Sequence, residues 1–248
     1  MIVFERCKFQ YSKKTPMETT ALRDVSLKLK KGELSALMGR TGSGKTTLAH
    51  LAAGLLGPSE GRVVVDGLDT CVKKYSLSIS QKVGVVFQYP EAQFFCPTVE
   101  EEIEFALNNF RIDNPKQNLT VRALTNVGLN ETYMKRNPFK LSGGEQRLVA
   151  IASIIVWEPE YLFLDEPTAG LDALSRKHVL SVIKNLERMG KGVFIITHDT
   201  KLVKSEVKRL IVLCNGSIYY NGIVDEFFKE PINMEETGIF EPFFIRKP

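Results

Sequence analysis

Paired cysteines are missing from this sequence. Its four cysteines, Cys7, Cys71, Cys96 and Cys214, lie far apart with no C-x-x-C pair. That argues against a thiolate metal site and for reduced thiols in the cytosol. Long apolar runs are missing too. The longest, Leu148 to Trp157, falls far short of the ~18 residues a membrane span needs. The N-terminus, MIVFERCKF, lacks the basic region and long apolar stretch of a signal peptide. There is no repeat and no low-complexity segment. Neither sign of charge dominates: the formal net charge is +4 over 248 residues. That is weak ground for nucleic acid or acidic lipid as a partner. What remains is globular composition, 44% hydrophobic and 25% charged, enough for one large domain or one domain with lobes. The expectation is a soluble chain that can dock on something that is not.

Hydrophobic patterning divides the chain. IVFERCKFQY and LRDVSLKLKKGE read as short strands, the second with alternating Val25, Leu27 and Leu29. LSALMG reads as a buried strand, and Thr46 to Leu56 as the helix after it. GRVVVDG and KVGVVF are further strands. From Pro90 to Glu158 the patterns are helical, over Val99 to Phe110, about Gln117 to Val127, and Gly143 to Trp157. Thr98 with Glu101, and Ser142 with Glu145, form S/T-x-x-E boxes that start two of these helices. Then come a strand YLFLD, a helix from about Asp172 to Met189, a strand GVFIIT, and a hairpin with Asn-Gly at its turn. This alternation predicts an α/β fold: a mainly parallel sheet covered by helices, an antiparallel N-terminal part and an inserted helical lobe. The expected boundaries are a core of 1–89 and 159–222, a lobe of 90–158 and a tail of 223–248.

The stretch GRTGSGKTT, Gly39 to Thr47, fits G-x-x-x-x-G-K-[ST]. Several backbone N–H groups can meet phosphate oxygens at once only where glycines let the backbone curl closely. The loop then feeds a helix N-terminus, which favours an anion. Lys45 would reach the β- and γ-phosphates and the Thr46 hydroxyl would ligate Mg²⁺. The bland alternative is a Gly/Ser loop capping a helix, but strand and helix stand where the motif demands them.

Such a loop says only nucleotide. YLFLDEP places Asp165 at the end of an apolar strand, suited to hold the Mg²⁺ shell. Glu166 follows, placed to deprotonate an attacking water. No N-K-x-D tetrapeptide occurs, which weighs against a GTPase. LSGGE, Leu141 to Glu145, is open to two readings: a helix cap with two glycines, or a second anion receptor built from exposed N–H groups and the Ser142 hydroxyl.

GRTGSGKT, LSGGE, YLFLDEP, AGLD and THD, in that order, resemble the nucleotide-binding domain of ABC-type ATPases, from Tyr11 to about Gly222. The resemblance implies ATP and Mg²⁺ as ligands and two such domains paired head to tail, with each ATP between the phosphate loop of one and the LSGG loop of the other. It implies an ATP site of Tyr11, Gly39, Arg40, Thr41, Gly42, Ser43, Gly44, Lys45, Thr46 and Thr47, with Tyr11 stacked on adenine or, alternatively, only a strand-face aromatic. Thr46, Gln88 and Asp165 would serve Mg²⁺. Glu166, Gln88 and His198 would serve catalysis, His198 as the switch histidine that contacts the γ-phosphate. Ser142, Gly143, Gly144 and Glu145 would act in trans, and Asp172 would lie in the loop that crosses the dimer interface. His50 and His178 carry only a surface or core reading. One departure stands out. After LSGG the family often reads Q-K-Q-R, whereas here Glu145-Gln146-Arg147-Leu148 follows, which puts the usual contacts of the basic residue in doubt.

Within the family, TPMETTALRDVSL and QYPEAQFFCPTVEEEIEFAL resemble the ATPase subunits of energy-coupling factor transporters, which import vitamins or metal ions. The Q-x-P-x-x-Q stretch (Gln88, Pro90, Gln93) followed by T-V-E is the more telling. The resemblance implies a second ATPase subunit, identical or homologous, a transmembrane scaffold, a small membrane substrate-capture protein, no nucleic acid, and a place on the cytoplasmic face of the membrane. A conventional binding-protein-dependent importer is the alternative. A coiled-coil chromosomal ATPase is excluded, because Lys45 and Leu141 are separated without sustained heptads. Phe94 and Phe95 are either tucked under the helical lobe or offered to a partner.

Overall fold

The computed structural model describes residues 1–89, 92–112, 115–229 and 234–239. The chain divides into two compact units. Met1–Lys30, Leu34–Lys73 and Phe194–Pro248 form the first, and Lys31–Glu33 with Lys74–Val193 form the second.

The first unit opens with β1 (Ile2–Tyr11) and β2 (Thr19–Leu29), paired antiparallel with Ile2 opposite Leu29, Phe4 opposite Leu27 and Cys7 opposite Val25. Ile2 and Phe4, and Val25, Leu27 and Leu29, are buried by period-two alternation, and a register shift between Phe4 and Cys7, with Arg6 at φ 45°, keeps Cys7 buried three residues on. β3 (Leu34–Met38) is buried at every position and leads into α1 (Lys45–Ala52). β4 (Glu60–Val65) and β5 (Leu68–Asp69) complete an antiparallel sheet in the order β2-β1-β4-β5. α1 stops four residues short of the expected Leu56. Gly54 takes φ 69°, and the Leu55 N–H turns back to the His50 carbonyl at 2.9 Å, a glycine-type helix stop that periodicity alone does not reveal.

The second unit holds α2 (Ser76–Lys82), which the hydrophobic pattern did not signal, and β6 (Val83–Val86). There follow α3 (Val99–Asn109), α4 (Lys116–Asn126), α5 (Gly143–Ile155), β7 (Tyr161–Asp165) and α6 (Ala173–Arg188). β6 and β7 run parallel, Val83 opposite Tyr161 and Val86 opposite Leu164. α3, α4 and α5 pack on one another through Val99, Ile103 and Leu107, Ala123 and Leu124, and most of α5. Each of α3, α5 and α6 starts on a side-chain cap: Thr98 accepts from Glu101 N, Ser142 from Glu145 N, and Asp172 from Leu174 N and Ser175 N. These caps satisfy N–H groups that a first helical turn leaves open.

β8 (Gly192–Ile196) returns the chain to the first unit. That unit closes with α7 (Thr200–Glu206), β9 (Arg209–Cys214), β10 (Ser217–Ile223), α8 (Val224–Phe227) and α9 (Met234–Thr237). β9 is parallel to β3 and antiparallel to β10. Asn215 and Gly216, at φ 48° and 82°, make the expected two-residue hairpin turn. The fold is therefore α/β with parallel core strands, an antiparallel N-terminal sheet and a run of helices. No helix among the described residues is long and apolar enough to cross a membrane.

Gly84 sets how closely α5 lies on β6. A Cβ there would meet Ile154 Cγ2 at 2.4 Å and Leu162 Cδ2 at 3.1 Å. Gly84→Val should therefore lower unfolding stability by about 1–3 kcal/mol through overpacking, read as a lower urea midpoint with an unchanged m-value.

Candidate functional site

The phosphate loop lies wholly in the first unit. Its backbone runs where side chains cannot. At Gly39, φ 139°, a Cβ would lie 2.1 Å from the Leu213 carbonyl oxygen. At Gly44, φ 102°, it would lie 2.6 Å from the Ala21 carbonyl oxygen. Gly44 is the N-cap of α1 without a side-chain cap, and no acidic residue occupies the first turn. The helix start thus keeps its positive end for an external anion. Lys45, 7% exposed, donates to the Gly39 carbonyl at 2.7 Å and the Arg40 carbonyl at 2.9 Å. Its ammonium is pinned inside the loop's own curl. The buried Ser43 hydroxyl has no hydrogen-bond partner, and a buried hydroxyl without one is costly unless a ligand supplies it. An uncapped helix start, a held ammonium and an orphaned hydroxyl fit the phosphates of a nucleotide.

Around this loop, Thr41, Gly42 and Thr46 are exposed, as is Arg40, whose guanidinium donates to the Glu235 carbonyl at 2.9 Å. Thr47 is buried, and its hydroxyl shares a 3.0 Å hydrogen bond with that of Tyr11. The Tyr11 ring is 41% exposed and meets Phe9 edge-on at 4.8 Å. The structure thus brings Tyr11 onto α1. His198 is exposed two residues past the end of β8, after the fully buried Thr197.

The other predicted residues belong to the second unit. β7 is buried up to Leu164, and Asp165 and Glu166 are half-buried at its end. Glu166 holds φ 44° and accepts from Ala169 N at 3.2 Å in a tight turn. A left-handed glutamate is uncommon, and strain of that kind concentrates at functional sites. Gln88 is exposed after β6. Its neighbour Phe87 donates its N–H to the Gln93 side chain at 3.4 Å. Pro90, the middle of Q-x-P-x-x-Q, lies outside the described residues.

The two readings of LSGGE meet in one geometry. Ser142 and Glu145 form a reciprocal capping box. The Ser142 hydroxyl and N–H donate to Glu145 Oε2 at 2.7 and 2.8 Å, and the Tyr133 hydroxyl donates to Oε1 at 2.6 Å. The Tyr133 bond, then those from Ser142, holds the Glu145 carboxyl below its usual range, and the same bond raises the Tyr133 hydroxyl. Gly143 has open space where a Cβ would be. At Gly144 a Cβ would meet Ser175 Oγ at 2.6 Å, so this loop lies against the start of α6. There Asp172 accepts from Ser175 N at 3.0 Å, Leu174 N at 2.9 Å and Ser175 Oγ at 2.7 Å. Those bonds, the Ser175 amide foremost, depress its carboxyl.

Sequence reasoning missed the role of Arg147. Its guanidinium, buried to 5% exposure, donates to the Gln88 carbonyl at 2.7 Å and the Phe87 carbonyl at 3.2 Å. The basic residue whose register departs from the family pattern thus holds the turn that carries Gln88. The two aromatics of the next segment part company. Phe94 is buried against Phe139, while Phe95 is 58% exposed beside Phe105. The buried Glu102 carboxylate fixes this bend by accepting from Phe95 N at 3.0 Å and Cys96 N at 2.9 Å.

Comparison with known proteins bears on this arrangement. Residues 22–169 match the model of the ABC transporter family. The chain is 41% identical over 245 residues to the energy-coupling factor transporter ATP-binding protein EcfA2 of Clostridium perfringens, covering 97% of this chain and 86% of that protein. It is 42% identical over 217 residues to EcfA2 of Thermotoga maritima, covering 87% and 80%. Among solved structures, cbiO1 from Clostridium perfringens, part of the ABC transporter complex cbiONQ, superposes with a TM-score of 0.81 at 30% identity, covering 92% of this chain and 90% of that one. A dimeric post-hydrolysis structure of the cassette MJ0796, bound to ADP and Pi, superposes with a TM-score of 0.81 at 28% identity, covering 90% and 99%. With that coverage and identity, the chain belongs to the ABC transporter family, among the ATP-binding proteins of energy-coupling factor transporters.

Proposed function

We propose that this chain is the ATP-hydrolysing subunit that powers uptake of a vitamin or metal ion through an energy-coupling factor transporter. It works as a head-to-tail pair with a second ATPase subunit, identical or homologous, on the cytoplasmic face of the membrane. The pair engages a transmembrane scaffold that carries a small substrate-capture subunit, and no nucleic acid is involved. The observation that carries this reading is the phosphate loop: a pinned Lys45 and an orphaned Ser43 hydroxyl at an uncapped helix start.

Each residue then has a task. The N–H groups of Gly39 to Thr47, with Lys45, bind the phosphates, and the exposed Tyr11 ring offers a face to adenine. Thr46, Gln88 and Asp165 would hold Mg²⁺. No cluster of three or more His, Cys, Asp or Glu side chains able to hold a metal occurs among the described residues. A donor set of one hydroxyl, one amide and one carboxylate leaves a hard oxygen-seeking cation open to phosphate oxygens and water. Bound there, Mg²⁺ would neutralise phosphate charge. Glu166 takes the proton of the attacking water, and His198 faces the γ-phosphate. Ser142, Gly143 and Gly144 serve the nucleotide of the partner subunit. For that the Ser142 hydroxyl turns its proton from Glu145 to a phosphate, while Glu145 keeps the bonds from Tyr133 and the Ser142 N–H. Asp172 leads the loop at the subunit boundary. ATP closes the pair because it binds the closed state better than the open one. We assign the nucleotide core to 1–89 and 159–222, the helical lobe to 90–158 and the tail to 223–248. The exposed Phe95 and Phe105 of that lobe suit an apolar scaffold segment.

Purification from native membranes followed by mass spectrometry tests the transport reading. A small integral membrane capture protein should accompany the chain; a periplasmic or lipid-anchored binding protein in its place would refute the assignment. At the site, Glu166→Gln should keep ATP binding and lower turnover by about 10²-fold or more, the usual contribution of a positioned base; wild-type turnover would remove Glu166 from that role. Lys45→Ala should weaken ATP binding about tenfold or more, since a charge-assisted hydrogen bond is worth roughly 1.5–3 kcal/mol, and unchanged affinity by calorimetry would count against it. If Ser142 acts across the pair, specific activity should rise with subunit concentration. Ser142→Arg should abolish turnover while a nucleotide analogue still binds, and activity independent of concentration down to the monomer would sink the shared site.

A further inference from the structure

We propose that Arg147 is a positioning residue for Gln88, tying the turn that carries Gln88 to the helix that begins with Ser142-Gly143-Gly144. The inference rests on the catalytic role proposed above for Gln88. It starts from a charge where a helix in a packed lobe would ordinarily have none. Leu148, Val149, Ala150, Ile151 and Ala152 of α5 are all buried, and Arg147 is buried with them at 5% exposure. A guanidinium is taken from water only where hydrogen bonds repay it. One of its nitrogens, Nη1, donates to two successive carbonyls, those of Phe87 and Gln88. Two successive carbonyls aimed at one nitrogen fix the direction of the chain at that point. They therefore fix where the Gln88 side chain leaves the backbone.

The surroundings give this bond its consequence. Gly143 and Arg147 are four residues apart and share one face of α5. Together with Gln146 they line a cavity of about 320 Å³ whose other walls are Gln88, Tyr89 and the segment Ala169, Gly170 and Leu171. That segment belongs to the turn that opens at Glu166, where Ala169 N bonds the Glu166 carbonyl. Arg147 thus stands where the Gln88 turn, the start of α5 and the chain after Glu166 meet. A rotation of α5 moves the Arg147 side chain, and through two hydrogen bonds it moves the Gln88 backbone. Lysine cannot replace it: its ammonium ends its stem one bond nearer the backbone than Nη1, the nitrogen that makes both bonds.

Phe87 and Gln88 are exposed residues, so their carbonyls can turn to water when Arg147 is lost. The chief effect of Arg147→Met is then a loosened Gln88 turn rather than a broken core. The test uses the full chain purified with the subunits that accompany it in native membranes. In Arg147→Met, kcat should fall about tenfold with KM for ATP within about twofold, the pattern of a lost transition-state interaction. Hydrogen exchange should quicken in 84–89 while the amides of α5 keep their protection. Gln88→Ala should lower kcat, and the double variant should be no slower than Gln88→Ala alone, because the two residues act as one unit. Should Arg147→Met fold poorly, Arg147→Lys retains the charge and should show the same quickened exchange. Normal kcat in Arg147→Met beside an impaired Gln88→Ala would overturn the proposal and leave the role of Gln88 standing. So would losses that multiply in the double variant, or exchange that quickens along α5 instead of the turn. Wild-type turnover in Gln88→Ala would remove the role of Gln88 and this proposal with it.

Discussion

Phosphate charge can be met by neutral backbone only where the backbone comes very close, and Cβ atoms forbid that closeness. The first unit is organised around this constraint. At Gly39 and Gly44 the chain passes so near the Leu213 and Ala21 carbonyls that no side chain fits. Because the loop is that tight, its carbonyls turn inward and can hold the Lys45 ammonium. β3, buried at all five positions, anchors one end of the loop and α1 the other. Tyr11 and Thr47 then join the antiparallel sheet to the helix by one hydroxyl pair. The same closeness that shapes the loop leaves the Ser43 hydroxyl buried and unmatched, which a phosphate oxygen would correct.

The second unit solves a different problem: several helix starts and strand ends must present polar groups without collapsing onto one another. Side-chain caps do most of this. Asp172 and Ser142 each satisfy first-turn N–H groups of their own helix, and Glu145 is shared by Ser142 and Tyr133. Capping keeps the loop before α5 ordered without covering Gly143, where space stays open. Glu166 is held differently, by a left-handed backbone at the end of a buried strand. Such a conformation persists only where the surroundings enforce it, and the turn closed by Ala169 is part of that enforcement.

Hydrolysis by an ABC ATPase has to be read out mechanically, so residues that join separate elements matter as much as those that touch nucleotide. Arg147 and Glu102 are of that kind. One is a buried cation that organises carbonyls, the other a buried anion that organises N–H groups. They hold the two stretches flanking Gln93, the turn at Phe87–Gln88 and the bend at Phe95–Cys96. The bend that Glu102 holds separates the sealed Phe94 from the presented Phe95.

What the sequence by itself determined is what lies within a turn or two of backbone. The glycine loop and its helix, the Asp-Glu pair closing an apolar strand, the capping residues Thr98 and Ser142, and the Asn-Gly hairpin are all local. Their geometry follows from φ/ψ preference, period and short-range hydrogen bonding. Tertiary structure decided the rest. Tyr11 meets Thr47 across 36 residues and Arg147 meets Gln88 across 59; no short-range pattern carries such a pairing. Ser175 lies against Gly144 only because α6 packs on α5. The end of α1 departs from the expected Leu56 for a related reason: its apolar pattern runs on to Leu56, while Gly54 turns the chain aside. Local preference chooses the elements and which face of each is apolar. Which distant polar group meets which depends on how those faces pack, and packing is a property of the whole unit.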